Sequence, residues 1–570
     1  MAQVARSQPV YDVVIIGSGA GGGTVTKVLA DLGVSVALIE AGPMLNPAKD
    51  FKEHKWPYDY PHRGAEEDGA SYFGRGRGFG WFTAAQGDWT LEGEPYTTAP
   101  GSSFRWFRSR VVGGRTNHYG RISLRFADYD LKSYTRDGIG TDWPITYDEL
   151  SPYYDKAEAF IGVTGSKEGI RSAPDGVFQR CPPPRVHEKL IQKAATKVGV
   201  PCIPGRLAVI TQKTNGRPAC HYCGECGRGC VTASNYSSSQ VQIFPALKTG
   251  RVTLITNAMA REILVDDQGK AKAVSYIDKA TRTERQIKCR TVVVAASACE
   301  TARLLMNSKS SKYPNGIGNG SGQLGRNLVD STGFSMGAHI PALEGLPRYD
   351  SDGMGGGHVY MPWWLWDKKL DFPRGYHIEV GGGYGMPGVG SFSGIANRVE
   401  GYGDSLKKTI YDSYGTNVGL SGRGEMVPNP DTYCEIDPNV VDKYGIPVLR
   451  FHYKWTEYEL KQVDHMEQTF TEILEAMGGK IRKPETPIPA EKKISTGGEI
   501  IHEVGVARMG DDPKKSYLNK YCQSHEVKNL FVADGASFVS NPDKNPTLTI
   551  CALAWRTSDY LAEELKKRNV

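Results

Sequence analysis

The sequence has no apolar run long enough to cross a bilayer: a helix needs about 18 to 20 such residues, and the best candidates, such as residues 291–299, are strand-sized. Net charge is small, 69 Lys+Arg against 63 Asp+Glu for a formal +6, and no Lys/Arg block is dense enough to track a nucleic-acid backbone. The first ten residues, MAQVARSQPV, lack the apolar core of a secretory leader and run straight into a strand pattern, so cytosolic synthesis with no signal peptide of its own is expected. Cysteine is sparse and odd in number, 11 of 570 residues, which argues against a disulfide scaffold. Repeats and low-complexity tracts are missing, and 39% apolar with 23% charged residues excludes disorder driven by charge.

Glycine is in surplus. It makes up 67 of 570 residues, about 12% against an average near 7%, with no triplet period. Tight turns and close backbone approaches follow, and the length suggests two to four folding units at about 100 to 200 residues each. The chain opens with a βαβ unit: the β-branched run YDVVII suits a strand buried on both faces, GSGAGGG turns into a helix, and residues 34–40 give a second strand. Residues 252–296 read as strands returning to that first sheet. Residues 335–490 mix strand-like stretches with one amphipathic helix, TEYELKQVDHMEQTFTEILEAMG, and predict an antiparallel sheet with helical cover. The fold class expected is α/β, a Rossmann-like dinucleotide-binding domain with an inserted α+β domain.

Gly17-Ser18-Gly19-Ala20-Gly21-Gly22 fits G-x-G-x-x-G between a buried strand and a helix, and Glu40 lies 23 residues past Gly17 at the end of the next strand. The glycines Gly17, Gly19 and Gly22 let backbone N–H groups approach a pyrophosphate, while Glu40 accepts from a ribose hydroxyl. Strand, helix and acid together make this a dinucleotide site, without separating FAD from NAD. NLFVADG adds a strand ending in Asp534-Gly535, which brings a carboxylate and a bare backbone to the same region.

Beyond the fingerprint stand RVVGGRTNHYGRISLRF, DWPITYDELSPYY, GQLGRNLVD, HEVGVARMG, NLFVADG and NPTLTICALA, in that order. With them the chain resembles the glucose-methanol-choline (GMC) oxidoreductases over essentially its whole length. The resemblance implies FAD, a two-domain fold and oxidation of an alcohol carbon. It divides the chain into a discontinuous FAD-binding domain (1–50, 100–135, 240–335 and 495–570), a lid region (51–99), a substrate domain (136–203 and 336–494) and a cysteine-rich segment (204–239). It assigns His502 as catalytic base and Asn545 as its partner on the substrate hydroxyl. It also places Gly113, Gly114, Asn117 and His118 near the flavin, with a covalent link through His118 left open. Histidine suits the base because its ordinary pKa lies near neutrality.

Cys220, Cys223, Cys226 and Cys230 spell C-x2-C-x2-C-x3-C, a run used for iron–sulfur ligation, although Val231 stands where ferredoxins carry proline. Structural zinc and disulfides are competing readings. The resemblance extends to the catalytic subunits of bacterial FAD-dependent glucose, fructose and glucoside 3-dehydrogenases. These imply a [3Fe-4S] centre on Cys220, Cys226 and Cys230 with Cys223 extra, a [4Fe-4S] cluster being the other form.

That subset implies a sugar, glycoside or polyol substrate, a small export subunit, a cytochrome c acceptor, and residence in the periplasm by co-export or else in the cytoplasm. An oxygen-dependent sugar oxidase without a cluster, similar to pyranose oxidase, and a non-catalytic redox relay are the alternatives. Trp363, Trp364 and Trp366 could stack on a sugar or fill a core. Six arginines between Arg105 and Arg125 could meet an anion or form a solvated face.

Overall fold

The computed structural model of the chain describes residues 10–53, 59, 87–347, 353–385, 391–397, 399–482 and 484–570. Most of the lid expected over 51–99, residues 54–58 and 60–86, therefore lies outside the described residues.

The chain runs β1 (Val10–Ile16), α1 (Ala20–Asp31) and β2 (Val36–Ile39), then α2 (Tyr147–Ile161) and α3 (Val186–Lys197). Four strands follow, β3 (Val252–Ile255), β4 (Ala258–Val265), β5 (Ala271–Asp278) and β6 (Thr283–Val294), and then α4 (Ala298–Asn307). The second layer holds β7 (Ser331–His339), β8 (Tyr376–Gly382), β9 (Asn417–Glu425) and α5 (Glu457–Ala476), and the chain closes with β10 (Leu530–Val532) and α6 (Thr547–Lys567).

The first sheet has the order β4–β5–β6–β1–β2–β3, with β10 also on β6. β1, β2, β3 and β10 run parallel to their neighbours, and β4–β5–β6 is an antiparallel meander. The continuous apolar run of β1 is explained by burial on both faces: Val13 and Ile15 pack with Val25 and Leu29 of α1 and Leu561 of α6, while Val14 and Ile16 join the opposite core.

The second sheet is antiparallel, in the order 480–481, β7, β9, β8, 359–361, 203–204. α5 covers one face through Val463, Met466, Phe470 and Ile473, and α3 adds Ile191 and Ala195. α5 starts on a capping box in which Thr456 and Glu459 satisfy each other's backbone N–H groups. Strand alternation then decides the other face: Tyr376, Ile378 and Val380 enter this core, so His377 and Glu379 point the opposite way. Among the described residues no helix is long and apolar enough to cross a membrane.

Two expectations shift. The segment 136–203, expected in the substrate domain, divides: α2 packs on α6, with Tyr154 and Thr549 hydroxyls 2.7 Å apart and Lys156 paired with Asp559 at 2.8 Å, whereas α3 joins the second sheet. The part expected from 336 also begins earlier, with β7 at Ser331.

α1 approaches β10's loop so closely that a Cβ on Gly21 would lie 1.5 Å from the Ala533 carbonyl oxygen. Gly21→Ala is expected to destabilise the protein by about 3 kcal/mol or more through overpacking against backbone, read as a lower midpoint in thermal or urea unfolding.

Candidate active site

The turn after β1 needs glycine at Gly17, whose φ is +95°. Residues 17–21 then present the α1 N-terminus to a cavity of about 500 Å³. A Cβ on Gly19 would meet no atom within 4 Å, so this wall is an open cradle, and the first N–H groups of α1 have no partner inside the helix. Gly22 lies behind the wall, where a Cβ would stand 1.9 Å from the Gly17 carbonyl oxygen.

Glu40 lines the same cavity. Its carboxylate accepts from the Ser18 backbone and hydroxyl and, at 2.9 Å, from the Gly42 N–H, leaving lone pairs for a ribose. Burial raises its pKa against those hydrogen bonds. Asp534 and Gly535 also line the cavity; the Asp534 carboxylate accepts from Ser297 N–H at 2.9 Å and the Thr301 hydroxyl at 2.6 Å. Gly114 and His118 are in the wall, with His118 Nε2 at 3.0 Å from the Ser109 hydroxyl.

Gly113 and Asn117, expected beside the cofactor, instead sit behind the wall. Gly113 donates to the Ser18 hydroxyl at 2.8 Å. The Asn117 amide donates to the Val112 and Gly114 carbonyls at 3.0 Å each, so it braces the loop.

The arginine run is not a solvated face: Arg108, Arg110, Arg121 and Arg125 are buried. Arg110 pairs with Glu94 and Glu300. Burial works against ionisation of Glu300, yet Arg110 and Arg303 bring its pKa down to about 2. Arg108 lines the cavity with its guanidinium over the Trp106 and Tyr96 rings, and among the described residues none of its three nitrogens has a hydrogen-bond partner. Burial and the neighbouring Arg110 depress its pKa to about 10, so it carries a charge that a bound phosphate or hydroxyl-rich group would satisfy.

His502 and Asn545 meet in the same cavity, with His502 Nε2 and Asn545 Nδ2 3.3 Å apart. The Asp330 carboxylate accepts the His502 N–H at 2.9 Å, and the Ser331 hydroxyl lies 2.9 Å from Nδ1. Burial, then Arg423, hold the His502 imidazole far below its ordinary pKa, at about 3. Glu379 and Arg423 stand beside the pair and line the cavity. Sequence reasoning missed both and held Arg108 only as one of the run that could meet an anion; a Glu two residues after a His inside the apolar strand YHIEV was the available signal for Glu379.

Trp363 fills the second core, 4.9 Å from Tyr376, and Trp364 and Trp366 pack at its margin; none of the three lines the cavity, whose aromatic lining among the described residues is Trp89, Phe107 and Tyr119.

None of the four clustered cysteines, nor of the other seven, is disulfide-bonded, which speaks against the disulfide reading. Four thiolates on one zinc would lie about 3.8 Å apart. Among the described residues the one group with ligand atoms within 4.8 Å of each other is Glu53, His221 and Cys223, so the four thiols do not form a zinc tetrahedron. Cys220 and Cys226 pack on Leu207, Val209 and Met354, and Ile122 touches this cluster while also lining the cavity.

Residues 11–332 and 428–554 match two family models, both described as GMC oxidoreductase. The chain is 30% identical to 2-methyl-1,2-propanediol dehydrogenase of Mycolicibacterium austroafricanum, over 97% of this chain and 95% of that protein. It is 28% identical to the fructose dehydrogenase large subunit of Gluconobacter japonicus, over 98% of each. To paromamine 6'-oxidase of Streptomyces fradiae it is 27% identical, over 98% of this chain and 93% of that one. In fold it is similar to pyridoxine 4-oxidase from Mesorbium loti, with a TM-score of 0.63 at 16% identity, covering 96% of this chain and 99% of that one.

Arg108→Leu removes a charge-assisted contact worth about 1.5–3 kcal/mol and is expected to weaken dinucleotide retention about 10- to 150-fold, measured by titrating the apoprotein.

Proposed function

Since the chain belongs to the GMC oxidoreductases, FAD-dependent enzymes acting on CH–OH donors, we propose that it is a dehydrogenase that oxidises an alcohol carbon of a sugar, glycoside or polyol. The observation that carries this reading is the meeting, in one cavity, of the glycine turn and Glu40 with His502 and Asn545.

The open cradle at Gly19, the Arg108 guanidinium without a hydrogen-bond partner among the described residues and the Glu40 carboxylate fit the dinucleotide half of FAD. Bound there, FAD supplies the hydride acceptor. His502, neutral at working pH because burial and Arg423 disfavour its charged form, takes the hydroxyl proton at Nε2. Asn545, 3.3 Å away, donates to the same oxygen and stabilises its developing negative charge. Ser331 holds Nδ1, and Asp330 fixes the backbone that carries the ring.

For electron exit we assign a [3Fe-4S] cluster to Cys220, Cys226 and Cys230. Support comes from the C-x3-C ending, from Cys223 grouping instead with Glu53 and His221, and from Ile122, which connects the cysteine segment to the cavity wall. Such a cluster supplies one-electron transfer. Likeness to a protein named as a large subunit supports a partner subunit; a cytochrome c acceptor and the periplasm as working compartment belong to the same proposal and rest on the resemblance of the cysteine segment alone.

Three outcomes test this reading. His502→Ala is expected to keep its yellow flavin but lose about 10²–10⁴-fold in the rate of anaerobic flavin reduction by substrate; undiminished bleaching would overturn the base assignment. Iron and acid-labile sulfide should copurify with wild type and vanish in Cys226→Ser with FAD retained; peroxide formation without iron would instead make the protein an oxidase. Because a base acts when unprotonated and His502 titrates near 3, the reduction rate should lack an acid limb near pH 6.5 and decline only at much lower pH, as a stopped-flow pH profile would show.

A further inference from the structure

Asn545 can present either end of its amide to its neighbours, and its two ends do opposite things to a developing alkoxide: Nδ2 donates to it and Oδ1 repels it. Two contacts could decide the orientation. Oδ1 is buried and has no hydrogen-bond partner among the described residues. Nδ2 lies 3.3 Å from His502 Nε2, which could serve as donor or acceptor. Nδ2 also lies 3.3 Å from Glu379 Oε1, and an ionised carboxylate can only accept.

Glu379 is kept ionised by its surroundings. Arg423 stands 3.2 Å from Oε2 and His377 Nε2 is 3.4 Å from Oε1. Burial works against the charge, but Arg423 and the His377 hydrogen bond hold the carboxyl well below the usual carboxylate range. Its place is set by strand alternation, since Ile378 and Val380 on either side are locked into the core under α5.

We propose that Glu379 is a positioning residue that fixes the amide of Asn545 and, through it, the tautomer of His502. With one Nδ2 hydrogen committed to Glu379, the other points at His502 Nε2. That nitrogen is thereby the acceptor, and the ring proton resides on Nδ1, donated to the Ser331 hydroxyl 2.9 Å away. A substrate hydroxyl entering between Asn545 and His502 then meets a donor for its oxygen and a lone pair for its proton. The inference rests on the reading of His502 and Asn545 as the pair that receives the hydroxyl.

The test uses the FAD-loaded enzyme. Glu379→Gln can donate as well as accept, so it frees the amide; the rate constant of anaerobic flavin reduction should fall about 10- to 100-fold, with Glu379→Asp retaining more activity than Glu379→Gln. In an Asn545→Ala background Glu379→Gln should cost nothing further. An equal loss in both backgrounds would overturn the proposal and make Glu379 a direct substrate contact. Neutron diffraction on wild type and Glu379→Gln reads the amide without turnover. The expected map has Asn545 deuterons facing Glu379 and a deuteron on His502 Nδ1 in wild type, with the amide reoriented or mixed in the variant; deuterons turned away from Glu379 in wild type would overturn it. If no alcohol reduces the wild-type flavin, the proposed activity fails, while the neutron map still decides the orientation.

Discussion

The site depends on the hydrogen-bond ladders of one strand. β6 pairs with β1 from Lys288 to Val294 along one edge. On the other edge its first half pairs with β5 and its last three residues with β10. Main-chain bonds to its own hairpin partner β5 and to β1 and β10 from opposite ends of the sequence bring Asp534 level with the turn after β1. From there the chain leads to Asn545 and then, past the N-cap Pro546, to α6 at Thr547. The glycines, the acid and the catalytic pair meet because β6 has no spare edge. A register slip by one residue would invert every side chain relative to the core.

The second constraint is the two-faced character of β8. Its even-numbered residues pack under α5, so its odd-numbered ones must carry the polarity, and they do so as His377 and Glu379 against Asp543 and Asn545. Stability and chemistry share one strand here: the apolar face holds the strand rigid, and rigidity is what makes a carboxylate useful as an orienting group.

Much of the fold was legible because it is written in local patterns. The β-branched run of β1, the glycine turn and the 3.6-residue period of α5 each depend on neighbours within a few residues. His502 and Asn545 were legible through family motifs, which stand for three-dimensional relations that spacing alone does not encode. Glu379, Arg423 and Arg108 were not legible: a single charged residue in a strand looks the same whether its face meets solvent or a cavity. The arginine run misled for the same reason, since burial of Arg110 is intelligible only once Glu94 and Glu300 are seen around it. Asn117 lies in a motif associated with the cofactor, and its amide N–H groups bond to the loop carbonyls, a bracing role that the motif alone does not reveal.

The cavity walls are drawn from residues near 17–21, 40, 108–120, 258–261, 295–304, 379, 423, 500–503 and 534–550. On the ribosome such a pocket cannot close until residues 534–550 join the wall begun at residues 17–21. Cofactor capture therefore follows synthesis of that later stretch, and the glycine turn, made long before it, waits for residues 534–550 before it has a closed pocket to offer.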